Sequence, residues 1–244
     1  MKFNEALVSI GKRKAISFAQ EKAHRLGLDW LSGIGCVFQA CLDNENLAPT
    51  NIAIKDGAAK DVIGKWIQKY FDAFNSRISI HRSNLPSTIA DPIIDVIIQG
   101  RLPHLNNTAL KEIKFAHRLS MSAENILGLL LEEYLSNHLI PKGWHCAWGE
   151  TIISVDFCCN DGSLLQIKNR SNSENSSSSR IRKGTLIEKW YRVDARTGTY
   201  QWETFNSKFR VRCSEDSFRA FVRDALSHNP AALAIEPDNP WLNK

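Results

Sequence analysis

A hairpin signal in the second half of the chain constrains the fold more than any other feature. The turn Asn160-Asp161-Gly162 separates two stretches that contain β-forming residues, 151–158 and 163–169. An Asn/Asp-Gly turn between such stretches is the strongest short-range signal for two antiparallel strands. The sequence therefore predicts a β-hairpin, and with it a sheet, in a chain whose other segments mostly follow helical periodicity.

Three polar side chains lie on this hairpin in positions that suit phosphodiester hydrolysis. Asp156 lies on the first strand, and Gln166 and Lys168 are two residues apart on the second, so these two point to the same face. Mg²⁺ prefers oxygen ligands, such as a carboxylate, an amide oxygen or the backbone carbonyl of Ile167. An ammonium group can orient the attacking water. The hairpin therefore predicts Asp156, Gln166 and Lys168 as catalytic residues, with Mg²⁺ bound by Asp156, Gln166 and the Ile167 carbonyl.

A further acid is expected from the preceding helix. Ser122 is a typical N-cap for a helix over residues 123–139, and Glu124 lies in its first turn. We expect Glu124 to accept a hydrogen bond from a metal-bound water or to complete a second metal site. Glu124 is therefore the fourth predicted catalytic residue.

The positive charge of the chain is concentrated directly after the hairpin. The whole chain has 31 Lys and Arg against 26 Asp and Glu, a net charge of +5. Residues 166–212 include 11 basic and 4 acidic residues, so this segment contributes +7 and the remainder −2. Such a patch attracts polyanions because phosphate contacts release counterions. A solvated surface or a flexible linker would have a similar composition, and both interpretations stay open.

The polar run within this segment has side chains suited to reading DNA. Arginine donates two hydrogen bonds to guanine, asparagine pairs with adenine edges, and glutamate accepts a hydrogen bond from cytosine N4. Serine is small enough to allow close backbone approach and suits phosphate contacts. The predicted DNA-binding residues are Asn169, Arg170, Ser171, Asn172, Ser173, Glu174, Asn175, Ser176, Arg180, Arg182, Lys183 and Arg210. Phosphate contacts are also expected from Lys189, Arg192 and Arg212.

Helical periodicity dominates the rest of the chain. The predicted helices cover residues 4–25, 30–42, 60–75, 91–100, 106–119, 123–139 and 215–226, and the run 91–100 is also compatible with a strand. The predicted strands cover residues 144–148, 151–158, 163–169, 200–205 and 209–213. This pattern favours an α/β (α+β) fold. We expect residues 1–119 to form a mainly helical part for DNA wrapping, dimerisation or both, and residues 120–244 to form the catalytic and DNA-recognition core.

Composition also predicts the compartment. The longest apolar run, residues 126–131, is too short to span a membrane. The first five residues lack the apolar core of a secretion signal. The six cysteines include no CxxC pair, and we expect them to be reduced and buried. These features predict a cytoplasmic protein without a membrane partner.

The order of these site residues resembles that of the PD-(D/E)xK nucleases. The segments 122–125 and 166–180, which include Glu124, Gln166 and Lys168, are similar to the SinI/AvaII group of type II restriction endonucleases, which cut GG(A/T)CC. The resemblance covers residues 120–215. It implies a PD-(D/E)xK nuclease core, with a mixed central sheet flanked by helices, that uses Mg²⁺ to cut double-stranded DNA as a homodimer. Two departures are Val155, where this pattern often has proline, and Gln166, where it usually has an acid.

Two other functions remain open at this point. A DNA-binding regulator without catalysis would explain the basic segment but not the pairing of Gln166 with Lys168. A PD-(D/E)xK repair or recombination nuclease would use the same chemistry but would recognise DNA structure in place of a sequence. Incubation with plasmid and phage DNA, with Mg²⁺ or with EDTA, separates the three.

Overall fold

The computed structural model describes residues 1–85, 91–172 and 185–242. The helices in these ranges are α1 (Phe3–Arg25), α2 (Ile34–Asp43), α3 (Ala59–Asn75), α4 (Ile93–Arg101), α5 (Asn107–Leu139), α6 (Trp202–Phe209) and α7 (Glu215–His228). The strands are β1 (Trp144–Cys146), β2 (Phe157–Cys159), β3 (Leu164–Arg170) and β4 (Ile187–Val193). The predicted α/β (α+β) class is therefore confirmed.

The four strands form one mixed sheet in the order β1-β2-β3-β4. β2 is antiparallel to both of its neighbours, β1 and β3, whereas β4 is parallel to β3. A parallel neighbour requires a crossover connection, which runs through residues 171–186. Residues 173–184 of that connection lie outside the described part of the chain.

The chain divides into two compact units. The first contains Met1–Arg77 and Leu131–Phe221, and the second contains Ile78–Leu130 and Val222–Lys244. The sheet and the N-terminal helices α1, α2 and α3 belong to the first unit. The predicted boundary between residues 119 and 120 falls within α5.

In the first unit, one face of the sheet is covered by an apolar core from the N-terminal helices. Trp66 of α3 is fully buried, and its ring contacts Phe38 at a centroid distance of 5.0 Å. The Trp66 indole donates a hydrogen bond of 3.0 Å to the Thr151 carbonyl. Cys158 and Leu164 of the sheet belong to the same buried cluster. The hairpin is thus attached to the N-terminal helices through one apolar layer.

The opposite face of the sheet packs against an aromatic layer. Trp190 of β4 contacts Phe205 of α6 at a centroid distance of 4.5 Å. Trp202, Phe205 and Phe209 of α6 are buried, at a spacing that fits a helix. The strands predicted at 200–205 and 209–213 are therefore wrong. A short apolar run such as this one fits both the helical period of 3.6 residues and the strand period of two, so the sequence alone does not distinguish them.

Two other predicted elements differ from the structure. Residues 106–119 and 123–139 belong to one continuous helix, α5, in which Ser122 is buried and does not cap a helix start. No Gly or Pro interrupts that stretch before Gly128. The first hairpin strand is also shorter than predicted, because Ser154 has a φ of +61°, which an extended strand cannot include.

The second unit contains charged pairs that hold its helices. Lys114 of α5 lies 2.5 Å from the Asp95 carboxylate of α4, and Arg118 pairs with Glu236. The Asn229 side chain donates hydrogen bonds to the carbonyls of Ile78 and His81. None of the helices in the described ranges is both long and apolar enough to cross a membrane.

We predict that Trp66→Ala lowers the free energy of unfolding by about 3–5 kcal/mol, since it removes a buried ring and leaves a cavity. The loss also deprives the buried Thr151 carbonyl of its donor. Urea unfolding followed by circular dichroism measures the change. Val8→Ala, at a residue that is 84% exposed, serves as the control and should change stability by less than about 0.5 kcal/mol. Equal effects of the two substitutions would contradict the assignment of Trp66 to the core.

Candidate active site

The β2–β3 turn forms as the sequence predicts. Gly162 adopts a φ of +88°, a left-handed conformation that favours glycine. Its amide donates a hydrogen bond of 3.0 Å to the Cys159 carbonyl, and the Ser163 amide donates one of 2.9 Å to the Asp161 carboxylate. The turn thereby fixes the register in which Phe157 faces Leu165.

Asp156 is held against β3 at the start of β2. Its amide donates a hydrogen bond of 2.9 Å to the Leu165 carbonyl, and its own carbonyl accepts one of 2.8 Å from Ala147. Its carboxylate accepts a hydrogen bond of 2.6 Å from the Ile167 amide. These contacts place the half-buried carboxylate directly beside the second hairpin strand.

Gln166 and Lys168 lie on one face of β3, as the period of two predicts. Gln166 is only 2% exposed, whereas Lys168 is half-buried. Continuing the antiparallel register by one pair sets Asp156 opposite Gln166, and opposed residues share a face. The structure therefore brings Asp156, Gln166 and Lys168 together.

A second acid reaches this group from α5, and it is Glu132. Burial, together with the negative charge of Asp156, raises the pKa of the Glu132 carboxyl to about 8, and Lys168 opposes the shift. Burial raises the pKa of Asp156 to about 6, against the effects of the Ile167 amide and Lys168. Glu150 raises the pKa of both carboxyls further. Lys168 thus faces two electrostatically linked carboxyls.

The sequence predicted Glu124 as the helical acid, whereas the α5 acid that is electrostatically linked to Asp156 is Glu132. Glu124 is exposed and belongs to the second compact unit, eight residues before Glu132 in the chain. A signal for Glu132 was present, because the pair Glu132-Glu133 interrupts an apolar run that includes Leu131 and Leu135. Acidic residues are almost never fully buried unless they are paired, so acids between buried leucines indicate a partner inside the fold.

The donor chemistry of this group suits a hard divalent cation. Asp156 and Glu132 offer carboxylate oxygens, and Gln166 offers an amide oxygen. Two neighbouring acids with raised pKa values indicate negative charge that a cation would compensate. Within the described ranges, no cluster of three or more His, Cys, Asp and Glu side chains could hold a metal ion. A bound cation would therefore need the Gln166 oxygen, water or substrate oxygens as well.

The structure describes five of the twelve predicted DNA-binding residues. Arg170, Asn172 and Arg210 are exposed. Asn169 accepts a hydrogen bond of 2.9 Å from Arg192, and the Ser171 hydroxyl accepts one of 2.8 Å from the Ala195 amide. The others lie outside the described part of the chain: Ser173, Glu174, Asn175, Ser176, Arg180, Arg182 and Lys183.

Arg192, expected to contact phosphates, has a structural role. It is 9% exposed, and its guanidinium donates hydrogen bonds of 2.7 and 2.6 Å to the two carboxylate oxygens of Glu215. It therefore ties β4 to the start of α7, with its charge paired inside the fold. The sequence predicted its charge correctly but could not show that a carboxylate at residue 215 would neutralise it.

The β2–β3 hairpin of this mixed sheet carries Asp156, Gln166 and Lys168 in one group, and α5 carries Glu132, which is electrostatically linked to Asp156 and Lys168. This fold and site define a nuclease core of the class to which type II restriction enzymes belong.

Comparison with known proteins identifies the family within that class. The model of the SinI restriction endonuclease family matches residues 48–228, which is more than half of the chain, and the chain therefore belongs to this family. The resemblance to the SinI/AvaII group is confirmed, and the match also extends into α3, outside the range that the sequence motifs covered.

Two type II restriction enzymes are similar to this chain. Eco47I from Escherichia coli is 39% identical over 160 residues, which is 61% of this chain and 69% of Eco47I. SinI from Salmonella infantis is 42% identical over 149 residues, which is 58% of this chain and 64% of SinI. The matched part therefore spans about two thirds of each relative.

The linked acids predict a pH dependence of stability. Because both folded-state pKa values are raised, folding favours the protonated carboxyls. This contribution is complete below the usual carboxyl pKa of about 4, and it is lost as pH rises through about 6 for Asp156 and about 8 for Glu132. The melting temperature of the metal-free protein should therefore fall between about pH 5 and pH 9.

Scanning fluorimetry of Glu132→Gln and Glu124→Gln across this range checks the prediction. Glu132→Gln should flatten the fall above pH 6, since it removes the acid with the higher pKa. Glu124→Gln should follow the parent protein. If Glu132→Gln showed the same pH dependence as the parent, the electrostatic linkage of Glu132 to Asp156 would be wrong.

Proposed function

We propose that this protein is a Mg²⁺-dependent, sequence-specific endonuclease that cuts double-stranded DNA within a short palindromic G/C-rich site, GG(A/T)CC. By family it is a type II restriction enzyme. The observation that best supports the proposed chemistry is the grouping of Asp156, Gln166 and Lys168 on one face of the hairpin, with Glu132 beside them. The proposed target sequence rests on the resemblance to the SinI/AvaII group.

In this proposal each residue of the group has a distinct task. Asp156, Gln166 and the Ile167 carbonyl would hold the metal ion. A bound Mg²⁺ would neutralise charge on the scissile phosphate and lower the pKa of water. Lys168 orients the attacking water and contacts the scissile phosphate. Glu132 performs the supporting task that the sequence suggested for Glu124, because it is the α5 acid that is electrostatically linked to Asp156 and Lys168.

DNA recognition is assigned to the segment that begins at Asn169. Arg170 and Asn172 project at the end of β3, next to the catalytic face, and the positive charge balance begins in the same segment. We further propose a homodimer, since a two-fold assembly matches a palindromic site. Residues 1–119 would contribute DNA wrapping, dimerisation or both, and the enzyme would act on DNA in the cytoplasm.

Lys168→Ala should abolish cleavage while DNA binding persists, since it removes the group that orients water but leaves the recognition segment intact. We expect the cleavage rate to fall at least about 100-fold, and the dissociation constant for DNA to change less than about threefold. Plasmid digestion with Mg²⁺ or EDTA measures cleavage, and gel-shift assays in EDTA measure binding. Lys55→Ala, at an exposed lysine of the first unit, is the matched control.

Digestion of phage DNA separates this proposal from its alternatives. A sequence-specific endonuclease gives discrete bands whose ends map to one site. A nuclease that recognises DNA structure gives no discrete pattern, and a regulator leaves the DNA intact. Parent-like cutting by Lys168→Ala would disprove the role given to that residue.

Glu132→Gln and Glu124→Gln together test which helical acid serves the site. Each substitution replaces a carboxyl group with an amide, with little change in volume. We expect Glu132→Gln to slow cleavage at least about 10-fold and to raise the Mg²⁺ concentration needed for half-maximal rate, because a nearby cation favours the ionised carboxylate, which an amide cannot supply. Glu124→Gln should stay within about threefold of the parent. The reverse pattern would restore Glu124 as the supporting acid.

A further inference from the structure

β4 places a tyrosine next to the proposed catalytic lysine. In the parallel register Lys189 pairs with Gln166, and Tyr191 pairs with Lys168. Paired residues on neighbouring strands share a face, and their strands lie about 5 Å apart. Tyr191 is therefore the β4 neighbour of Lys168 on the catalytic face.

The alternate residues of β4 establish this orientation. Trp190 and Arg192 are buried on the opposite face, where Trp190 packs against Phe205 and Arg192 pairs with Glu215. Successive side chains of a strand point to opposite faces. Tyr191 therefore points away from the aromatic layer and toward the side that carries Gln166 and Lys168.

The catalytic face becomes accessible toward the carboxyl ends of β3 and β4. At the amino ends, Leu164 and Ile187 are buried in the core of the first unit. Further along, Lys168 and Tyr191 are both half-buried, and Arg170 at the end of β3 is exposed. A DNA backbone that reaches Lys168 from this side can therefore also reach Tyr191.

Tyr191 differs from the other tyrosines in its contacts. The hydroxyls of Tyr134 and Tyr200 bond to Ser217 and Arg219, and the Tyr70 ring stacks on a buried tryptophan. Among the described residues, the side chain of Tyr191 has no hydrogen-bond or ring partner. Its hydroxyl is thus not engaged in holding the described fold together and can act on a substrate.

We propose that Tyr191 is a catalytic residue whose hydroxyl donates a hydrogen bond to a non-bridging oxygen of the phosphodiester that is cut. The inference rests on the proposed endonuclease function. During hydrolysis a water oxygen bonds to phosphorus while the bond from phosphorus to the leaving 3′-oxygen breaks. In net terms the water supplies a hydroxyl to phosphorus and a proton to the 3′-oxygen. The Tyr191 hydroxyl keeps its proton and stabilises charge on the non-bridging oxygen.

Tyr191→Phe tests the proposal because it removes only the hydroxyl and retains the ring. With the full-length protein in excess over a duplex containing the mapped site, the single-turnover rate in Mg²⁺ should fall about 10- to 100-fold, as expected for a lost hydrogen bond to a charged group. DNA affinity in EDTA and the melting temperature should match those of the parent. Tyr200→Phe, on a tyrosine bonded to Arg219, is the control and should cut at the parent rate.

A phosphorothioate duplex identifies the atom involved. Sulfur at the contacted non-bridging oxygen accepts a hydrogen bond poorly, so one stereoisomer should slow the parent enzyme more than it slows Tyr191→Phe. If Tyr191→Phe cuts at the parent rate while Lys168→Ala is inactive, the role of Tyr191 is overturned and the proposed function stands. A loss of rate matched by equal losses of affinity or melting temperature also overturns it. If the parent protein fails to cut DNA in Mg²⁺, the proposed function falls, and the role of Tyr191 with it.

Discussion

The hydrogen bond from the Ile167 amide to the Asp156 carboxylate is the contact on which the rest of the site depends. It joins the start of β2 to β3 and holds a charged group where the fold partly excludes water. Burial raises the pKa of this carboxyl, whereas the amide and Lys168 lower it. The balance leaves Asp156 ionised near neutral pH and fixed beside Gln166, which is the arrangement that a cation ligand needs.

The charge distribution explains how the site can work with glutamine in the usual place of an acid. Gln166 contributes an oxygen but no charge, so the strand pair alone supplies one carboxylate. Glu132 offers a second carboxyl group from α5, and burial and the negative charge of Asp156 raise its pKa. Two carboxyls so close together destabilise the metal-free protein as pH rises. The buried layers on the two faces of the sheet supply the stability that tolerates this repulsion.

Those two layers also determine which residues remain available for DNA. The N-terminal helices cover the amino ends of β3 and β4 on one face, and the aromatic layer of α6 covers the other. Arg192 is withdrawn from the surface by Glu215, and Asn169 is bonded to that same arginine. The accessible part of the sheet is therefore the carboxyl end of β3 and β4, where Lys168, Arg170 and Tyr191 lie together.

The sequence by itself determined the hairpin, the shared face of Gln166 and Lys168, and the long amphipathic helix α3, because turn chemistry and periodicity are local properties. The α6 region was predicted as strands because its short apolar runs fit both the helical and the strand period. Only the tertiary structure decided that Glu132 is electrostatically linked to Asp156, and that Tyr191 lies beside Lys168. These neighbours come from α5 and β4, and their positions depend on helix packing and on the register of a parallel strand, which no local pattern encodes.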